Sequence, residues 1–399
     1  MKPRVLIVSG VVPALDRGGG CLALYRHFVQ RSDFDFAVAS MYPSGKPTGC
    51  REFWIRRFFV SFIFRVVCGR RLAENINFLL AGRLLPVGLY EFAREWHPTV
   101  IFGVVDDFHA PIAATLARRL GVPLVVNFQD LFACSRFVAR VQAPYRWLQP
   151  RLLERYRRIQ SQATGVLYTS PGMRAWFGEE ANGDILYPIG GGHSTLAIRE
   201  SQGAKPQKLI YAGNCYGPYG EMILSLAYSM ENHPRWKLEI YSMGNDWPKT
   251  KLEHFEARGV YRGYLPFSEL SSQIAQADAL LTVMSFHPDD QVFVKTSFTT
   301  KILDYLPLEK PILAWVPAYS TVAQFAATTR AALLVTDADP KSVIESLDRL
   351  REGSPERTDL VKAAKVAAKG TFATDRIHDV LRQMLKSVSF PPVRNVASQ

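Results

Sequence analysis

The sequence predicts an α/β protein built from two Rossmann-like, doubly wound domains facing a cleft. Three observations lead there. The chain has 399 residues, more than the ~250–300 at which a single hydrophobic core stops growing. Short β-branched runs alternate with helix-like stretches and glycine-punctuated loops, the pattern of a parallel sheet covered on both faces. That alternation stops at a polar segment and then begins again.

The first half carries the first round of the pattern. Residues 5–8 form a buried β-branched run, followed by a loop over 10–20 and a helix-like stretch over 21–30. Strands are predicted at 36–40, 100–105, 122–128, 165–169 and 185–187, with a helix over 110–120 closed by Gly121. Residues 200–207 are polar and broken by Gly203 and Pro206, which reads as a linker. The second round has strands at 208–212, 236–241, 260–263, 279–283 and 311–315. Its helices fall at 221–231, 268–277, 301–305, 340–351, 359–369 and 375–386. The predicted domains are therefore 1–200 and 201–372, with 373–399 forming a helix that returns towards the N-terminal domain and a tail. Tandem sheets of this type place ligands at the carboxyl ends of their strands.

Composition excludes several classes. With 48% hydrophobic and only 21% charged residues, the chain is too apolar for disorder. No apolar run reaches the ~18 residues of a membrane span, and the start, Met1-Lys2-Pro3-Arg4, reads as the entry to a strand rather than a secretory leader. Five scattered cysteines, Cys21, Cys50, Cys68, Cys134 and Cys215, lack metal-ligand spacing and suggest neither a zinc site nor a disulfide framework, which suits a reducing cytoplasm.

Charge is the unusual feature. The net charge is +12, of which residues 1–190 hold a surplus of 10. Two windows dominate. One runs from Arg51 to Arg71 with six arginines and one glutamate; the other, from Ser135 with its charges spanning Arg136 to Arg158, has seven arginines and one glutamate. Placed on a helix, Ile55, Phe58, Phe59, Phe62 and Val66 share one face and Arg56, Arg57 and Arg65 fall off it. Such a helix either packs its apolar face on its own sheet or lies on an anionic membrane. The charge has no nucleic-acid recognition motif beside it, so no nucleic-acid partner is expected.

Three stretches carry a resemblance to the GT-B glycosyltransferases of the family 4 (group 1) type. Ser297-Phe298-Thr299-Thr300-Lys301-Ile302-Leu303-Asp304-Tyr305-Leu306, followed by Glu309-Lys310-Pro311-Ile312-Leu313, resembles the family's S-x-P-x-K…E-Y-L…G-K-P-V segment. Leu209-Ile210-Tyr211-Ala212-Gly213-Asn214 is similar to the strand and glycine turn that open its donor domain. Gly18-Gly19-Gly20 and the strand ending Asn127-Phe128-Gln129-Asp130 resemble its N-terminal domain.

The resemblance implies a retaining, metal-independent hexosyltransferase that takes a nucleotide-sugar, UDP- or GDP-linked, as substrate and needs no cofactor. Its acceptor is a glycan or lipid-linked glycan of cell-surface polysaccharide synthesis, reached from the cytoplasm or from the inner face of the membrane. Donor contacts implied are Gly19, Gly20, Gly213, Asn214, Lys295, Ser297, Thr299, Thr300, Lys301 and Asp304. Asp304 would sit at a helix start and accept hydrogen bonds from the ribose hydroxyls, and Lys301 would face the diphosphate. Gln129, Asp130 and His109 are the candidates near the reacting sugar.

Three differences from the family stand out. Gln129 replaces its usual histidine, Thr296 falls where its first glutamate stands, and the loop after Gly213 has neither of its basic residues. These leave a second reading open: a GT-B homologue that binds nucleotide or glycan without turning it over, as an assembly or regulatory module. His109, after Asp106-Asp107, either faces the acceptor or belongs to a helix-capping cluster. His287-Pro288-Asp289-Asp290 is either a sugar contact or a solvated turn.

Overall fold

A computed structural model describes residues 1–15, 17, 19–42, 49–56, 76, 79–106, 108–131, 149–178, 183–191 and 206–391. The chain divides into two compact units. The first holds the described residues as far as Tyr187 together with those from Ile377 onward, and the second is Pro188–Arg376.

The first unit is a parallel sheet of β1 (Arg4–Val8), β2 (Asp35–Ser40), β3 (Arg51–Trp54), β4 (Val100–Val104), β5 (Leu124–Phe128), β6 (Gly165–Tyr168) and β7 (Asp184–Ile185), in the order β3-β2-β1-β4-β5-β6-β7. Its helices are α1 (Gly20–Phe28), α2 (Leu89–Trp96), α3 (His109–Leu120), α4 (Gln149–Gln162) and α5 (Pro171–Phe177). The central strands are buried along their length: Val5 to Val8 and Val100 to Phe102 have no exposed surface. A parallel strand flanked by helices has no solvent face, which is why these segments read as unbroken β-branched runs.

The second unit repeats the plan with β8 (Gln207–Ala212), β9 (Trp236–Tyr241), β10 (Tyr261–Gly263), β11 (Ala279–Val283), β12 (Ile312–Trp315) and β13 (Leu333–Val335), ordered β10-β9-β8-β11-β12-β13 and all parallel. Around it lie α6 (Gly217–Ser229), α7 (Lys249–Ala257), α8 (Phe267–Ala275), α9 (Gln291–Thr296), α10 (Thr300–Tyr305), α11 (Thr321–Thr329), α12 (Pro340–Leu347) and α13 (Pro355–Lys369). Leu209, Tyr211, Leu281, Leu313 and Trp315 are buried at its centre. A last helix, α14 (Thr374–Ser389), starts in this unit and joins the first from Ile377.

In each sheet the strand order reverses once, between β1 and β4 and between β8 and β11. At such a reversal adjacent connections leave to opposite faces and open a crevice at the strands' carboxyl ends. These two crevices position the candidate residues of each unit.

The helix reading of the arginine-rich stretch fails at its start. Arg51–Trp54 is the edge strand β3, in register with β2 from Ala37↔Arg51 to Ser40↔Trp54, and Ile55 N–H extends the ladder to Ser40 O at 2.8 Å. Phe53 packs on Phe92, with ring centroids 5.3 Å apart, while Glu52 and Trp54 are exposed. Tertiary packing here follows the two-residue period of a strand. The rest of that window, residues 57–71, lies outside the described residues, as does residues 132–148 of the second. Within the second window α4 buries Leu152, Tyr156 and Ile159 and leaves Arg151, Arg157 and Arg158 at the surface.

Candidate functional site

In the first unit the crevice is lined from β1, β4 and β5. Asp106, just past β4, is the centre of its polar chemistry. Its Oδ1 accepts from the amides of Phe108, His109 and Ala110 at 3.1, 2.5 and 3.2 Å, capping α3. Its Oδ2 accepts from Gly10 N–H at 3.3 Å and from His109 Nδ1 at 2.7 Å. Burial alone pushes this carboxyl up, but the electrostatic attraction of the His109 ring and the hydrogen bonds from His109 and Ala110 outweigh that and hold it below its ordinary value.

His109 is fully engaged. It is 1% exposed, its Nδ1–H donates to Asp106, and its Nε2 accepts from Met41 N–H at 3.3 Å. A neutral imidazole has one donor and one acceptor, so neither nitrogen is left for a reacting proton. The geometry favours the capping cluster over the acceptor contact. The cluster ties together the ends of β1, β2 and β4, and Gly10 has no room for a side chain: a Cβ there would lie 2.8 Å from Asp106 Oδ2.

Gln129 and the glycine loop converge. Gly19 is the N-cap of α1 with φ +60°, a conformation that only glycine adopts freely. A Cβ on Gly20 would lie 2.2 Å from Gln129 Oε1, so the amide of Gln129 rests directly on the first turn of α1. Asp130 follows it, half-buried. Gly18 lies outside the described residues.

In the second unit the crevice centres on Lys301, in the first turn of α10. Its ammonium stands 4.8 Å from the centroid of the Tyr211 ring and donates to Tyr211 Oη at 3.4 Å. Tyr211 in turn donates to Asn214 O at 2.6 Å, fixing the loop after β8. A Cβ on Gly213 would lie 2.0 Å from Lys301 Cε and 2.2 Å from its Nζ, so the lysine occupies the space that a side chain at 213 would take. Burial lowers the lysine to about 8, only partly offset by the neighbouring Cys215 thiol. Among the described residues no carboxylate forms a salt bridge with it.

Asp304 differs from its expected placement. It lies in the last turn of α10 rather than at a helix start, and its Oδ1 accepts from Gly191 N–H at 2.9 Å. Helix α10 has six residues, too few to build much dipole, so charge on this element comes chiefly from its side chains. Gly190 packs against it, where a Cβ would lie 2.4 Å from Leu303 O. These two glycines are site residues that the sequence reading passed over, although a run of three glycines at 190–192 was there to see.

The other donor-side candidates are spread along this edge. Thr299 is the N-cap of α10 without a side-chain hydrogen bond, and Thr300 opens the helix. Ser297 is 4% exposed, and its Oγ is buried without a hydrogen-bond partner. Lys295 is exposed and lies over the Tyr319 ring at 5.4 Å. Thr296 is fully buried, its hydroxyl bonded back to Val292 O.

Asn214 Oδ1 accepts from Tyr216 N–H at 2.9 Å, and the first amide of α6, Gly217 N–H, donates to Asp246 Oδ2 at 2.8 Å. That helix start is already neutralised by a carboxylate. His287 caps a short 3₁₀ turn through Asp289 N–H, and Asp290 accepts from Ser285 Oγ at 2.7 Å, the arrangement of a closed turn. Among the described residues no group of His, Cys, Asp and Glu could hold a metal ion, and no helix is long and apolar enough to cross a membrane.

The fold is shared with solved enzymes. Sucrose-phosphate synthase from Thermosynechococcus elongatus superposes with a TM-score of 0.66 at 13% identity, over 97% of this chain and 99% of that one. Anabaena HepE in complex with UDP and glucose gives 0.65 at 13% identity, over 97% and 100%. The α,α-trehalose 6-phosphate synthase of Burkholderia multivorans gives 0.62 at 13%, over 97% and 99%. No curated protein matches the sequence. The chain thus has the GT-B fold of two parallel α/β sheets, and its residues 30–184 match the family of the glycosyl transferase 4-like domain.

Proposed function

We propose that this protein is a glycosyltransferase that moves a sugar from a nucleotide-sugar to a glycan or lipid-linked glycan acceptor, with retention at the anomeric carbon, in cell-surface polysaccharide synthesis. The observation that carries it is Lys301. A half-buried ammonium at a strand-end crevice, packed over a glycine and without a carboxylate partner among the described residues, costs stability. That cost is offset when an anion such as a diphosphate arrives. HepE, which shares the fold, has been crystallised with UDP-glucose as well as with UDP, and the family match over 30–184 supports the same class.

In this reading Lys301 faces the diphosphate, and Ser297, Thr299, Thr300 and Gly213 line its surroundings. Asp304, whose Oδ1 accepts from Gly191 N–H, takes the ribose hydroxyls. Lys295 and Asn214 complete the donor contacts of the second unit; in the first unit Gly19 and Gly20 are assigned to the donor phosphates, and Gln129 and Asp130 to the sugar. In the transfer, the bond from the anomeric carbon to the phosphate oxygen breaks and a bond to the acceptor oxygen forms on the same face. The acceptor proton passes to the released diphosphate, so no protein base is required and a glutamine at 129 is tolerated. Lys301 then acts where charge develops. The location expected is cytoplasmic, peripheral on the inner face of the membrane.

One observation favours the second reading, binding without turnover: Asp246 occupies the first amide of α6 and puts negative charge where a phosphate would otherwise sit. Calorimetric titration with UDP, GDP and ADP tests both. Binding of one nucleotide, weakened by about 1–3 kcal/mol in Asp304→Ala and in Lys301→Ala, supports the donor site, and release of free nucleotide from the matching sugar nucleotide in the presence of acceptor supports transfer. Binding without any turnover supports the second reading. No binding by any of the three nucleotides overturns the donor site and leaves the second reading in its glycan-binding form.

A further inference from the structure

Two buried histidines take no part in the proposed reaction. His27 closes the last turn of α1 and His378 opens the second turn of α14; they are 3% and 2% exposed. Their Nδ1 atoms lie 3.1 Å apart, and their rings stack with centroids 5.4 Å apart at 24°. His378 Nε2 lies 3.1 Å from Asp33 Oδ2. Around them α14 is held to the first unit by apolar contacts. Ile377, Leu381 and Leu385 are buried, and Met384 fills the space above Gly165.

The protons in this chain of groups can be placed. A carboxylate only accepts, so His378 Nε2 carries a hydrogen. Neutral His378 then has its lone pair on Nδ1, and His27 Nδ1–H donates to it. One extra proton puts a cation in a buried site, and a second sets two N–H groups against each other across 3.1 Å. The charged groups facing the pair are unevenly arranged. Arg26 on α1 and Arg31 beyond it oppose a positive charge on His27; Arg31 also opposes one on His378, while Asp33 and the neighbouring Asp379 favour it. The Phe34 ring closes the remaining side at 5.7 Å.

We propose that His27, His378 and Asp33 form an acid-sensitive latch that keeps the C-terminal helix docked on the first unit and releases it as the imidazoles take up protons. The sign follows from linkage. Burial, then charge repulsion, holds His27 well below the ordinary 6.5. Burial also holds His378 below 6.5, against the pull of Asp33. The released helix therefore binds more protons than the docked one below about pH 6.5. Docking is fully favoured above that value and is lost as the pH falls below it.

Hydrogen exchange on the full chain at pH 7.5 and 5.5, corrected for the intrinsic pH dependence of exchange, tests the latch. Amides of residues 377–389 are expected to lose protection about tenfold for each imidazole that titrates between those values, while β4 and β5 keep theirs. The His27→Gln/His378→Gln double variant should show no such change. If that variant does not fold, Asp33→Asn, at a partly exposed position, should leave protection at pH 7.5 intact and deepen the loss at pH 5.5, because His378 loses the carboxylate that tolerates its charge. Equal protection of 377–389 at both pH values in the unaltered protein overturns the proposal. So does an undiminished pH response in the double variant, or an Asp33→Asn variant identical to the parent.

Discussion

At the scale of single residues, Lys301 can lie where it does only because position 213 has no side chain. In Gly213→Ala the new methyl meets the far end of the lysine, a flexible group, so the backbone stays and the ammonium moves. Nucleotide affinity should fall about tenfold or more, as for loss of a charged hydrogen bond, with little change in melting temperature. Lys301→Met should behave differently. The lysine's pKa, lowered by burial to about 8, means that the native state binds fewer protons than the unfolded state between about 8 and 10.5. Its charge therefore costs stability at neutral pH, and the cost fades as the pH rises through that window. At pH 7 the methionine variant should be more stable than the parent by about 1–2 kcal/mol in thermal melts, and should bind nucleotide more weakly. A variant that melts lower and binds as well as the parent would remove Lys301 from the site. Lys301 and Asp304 were legible as a pair in the sequence because they share one short motif. Gly190 and Gly191 were not, because their contact with α10 joins segments more than a hundred positions apart, and a glycine run in sequence does not say what it approaches.

The elements that were legible are those whose residues are buried on every side. The runs at β1, β4, β5, β8, β11 and β12 are apolar whatever register is considered, so their pattern survives without knowledge of the neighbours. Edge and surface elements were not. β3 was read as helix because its arginines and aromatics also fit a helical period. The three-residue β13 and the helices α2, α4, α5, α7, α9 and α11 passed unread, most of them short and with only part of one face buried. The start of α3 shows what the loops between elements do. Five hydrogen-bond donors converge on Asp106, so Asp106→Ala removes a helix cap and leaves His109 Nδ1–H buried without an acceptor. The expected loss is about 2–4 kcal/mol, read as a lower denaturant midpoint. Because the native carboxyl is held below its ordinary 3.8, its contribution is present above that value and is lost as the pH falls through the lower native pKa. The parent, but not the alanine variant, should show that acid-dependent loss.

At the scale of the whole molecule the charge is the property without a structural partner. The fold accounts for the two sheets, but neither needs a net charge of +12 with a surplus of 10 in the first 190 residues. The surplus sits in the part of the chain that matches the glycosyl transferase 4-like domain, at surface positions such as Arg151, Arg157 and Arg158 on α4. Surface arginines near an anionic bilayer gain roughly 1 kcal/mol each, and the gain is screened within a Debye length. A lipid-linked acceptor would present its phosphates at that same surface. The protein should therefore sediment with vesicles containing anionic lipid and not with purely zwitterionic ones, and should be released when salt is raised from about 0.1 M towards 0.5 M. Arg151→Ala/Arg157→Ala/Arg158→Ala should shift that release to lower salt without altering nucleotide binding, since α4 lies in the first unit and Lys301 in the second. Retention that depends on neither lipid charge nor salt would mean that apolar contact holds the protein there. No retention at all would leave the excess charge to steer an anionic acceptor in solution.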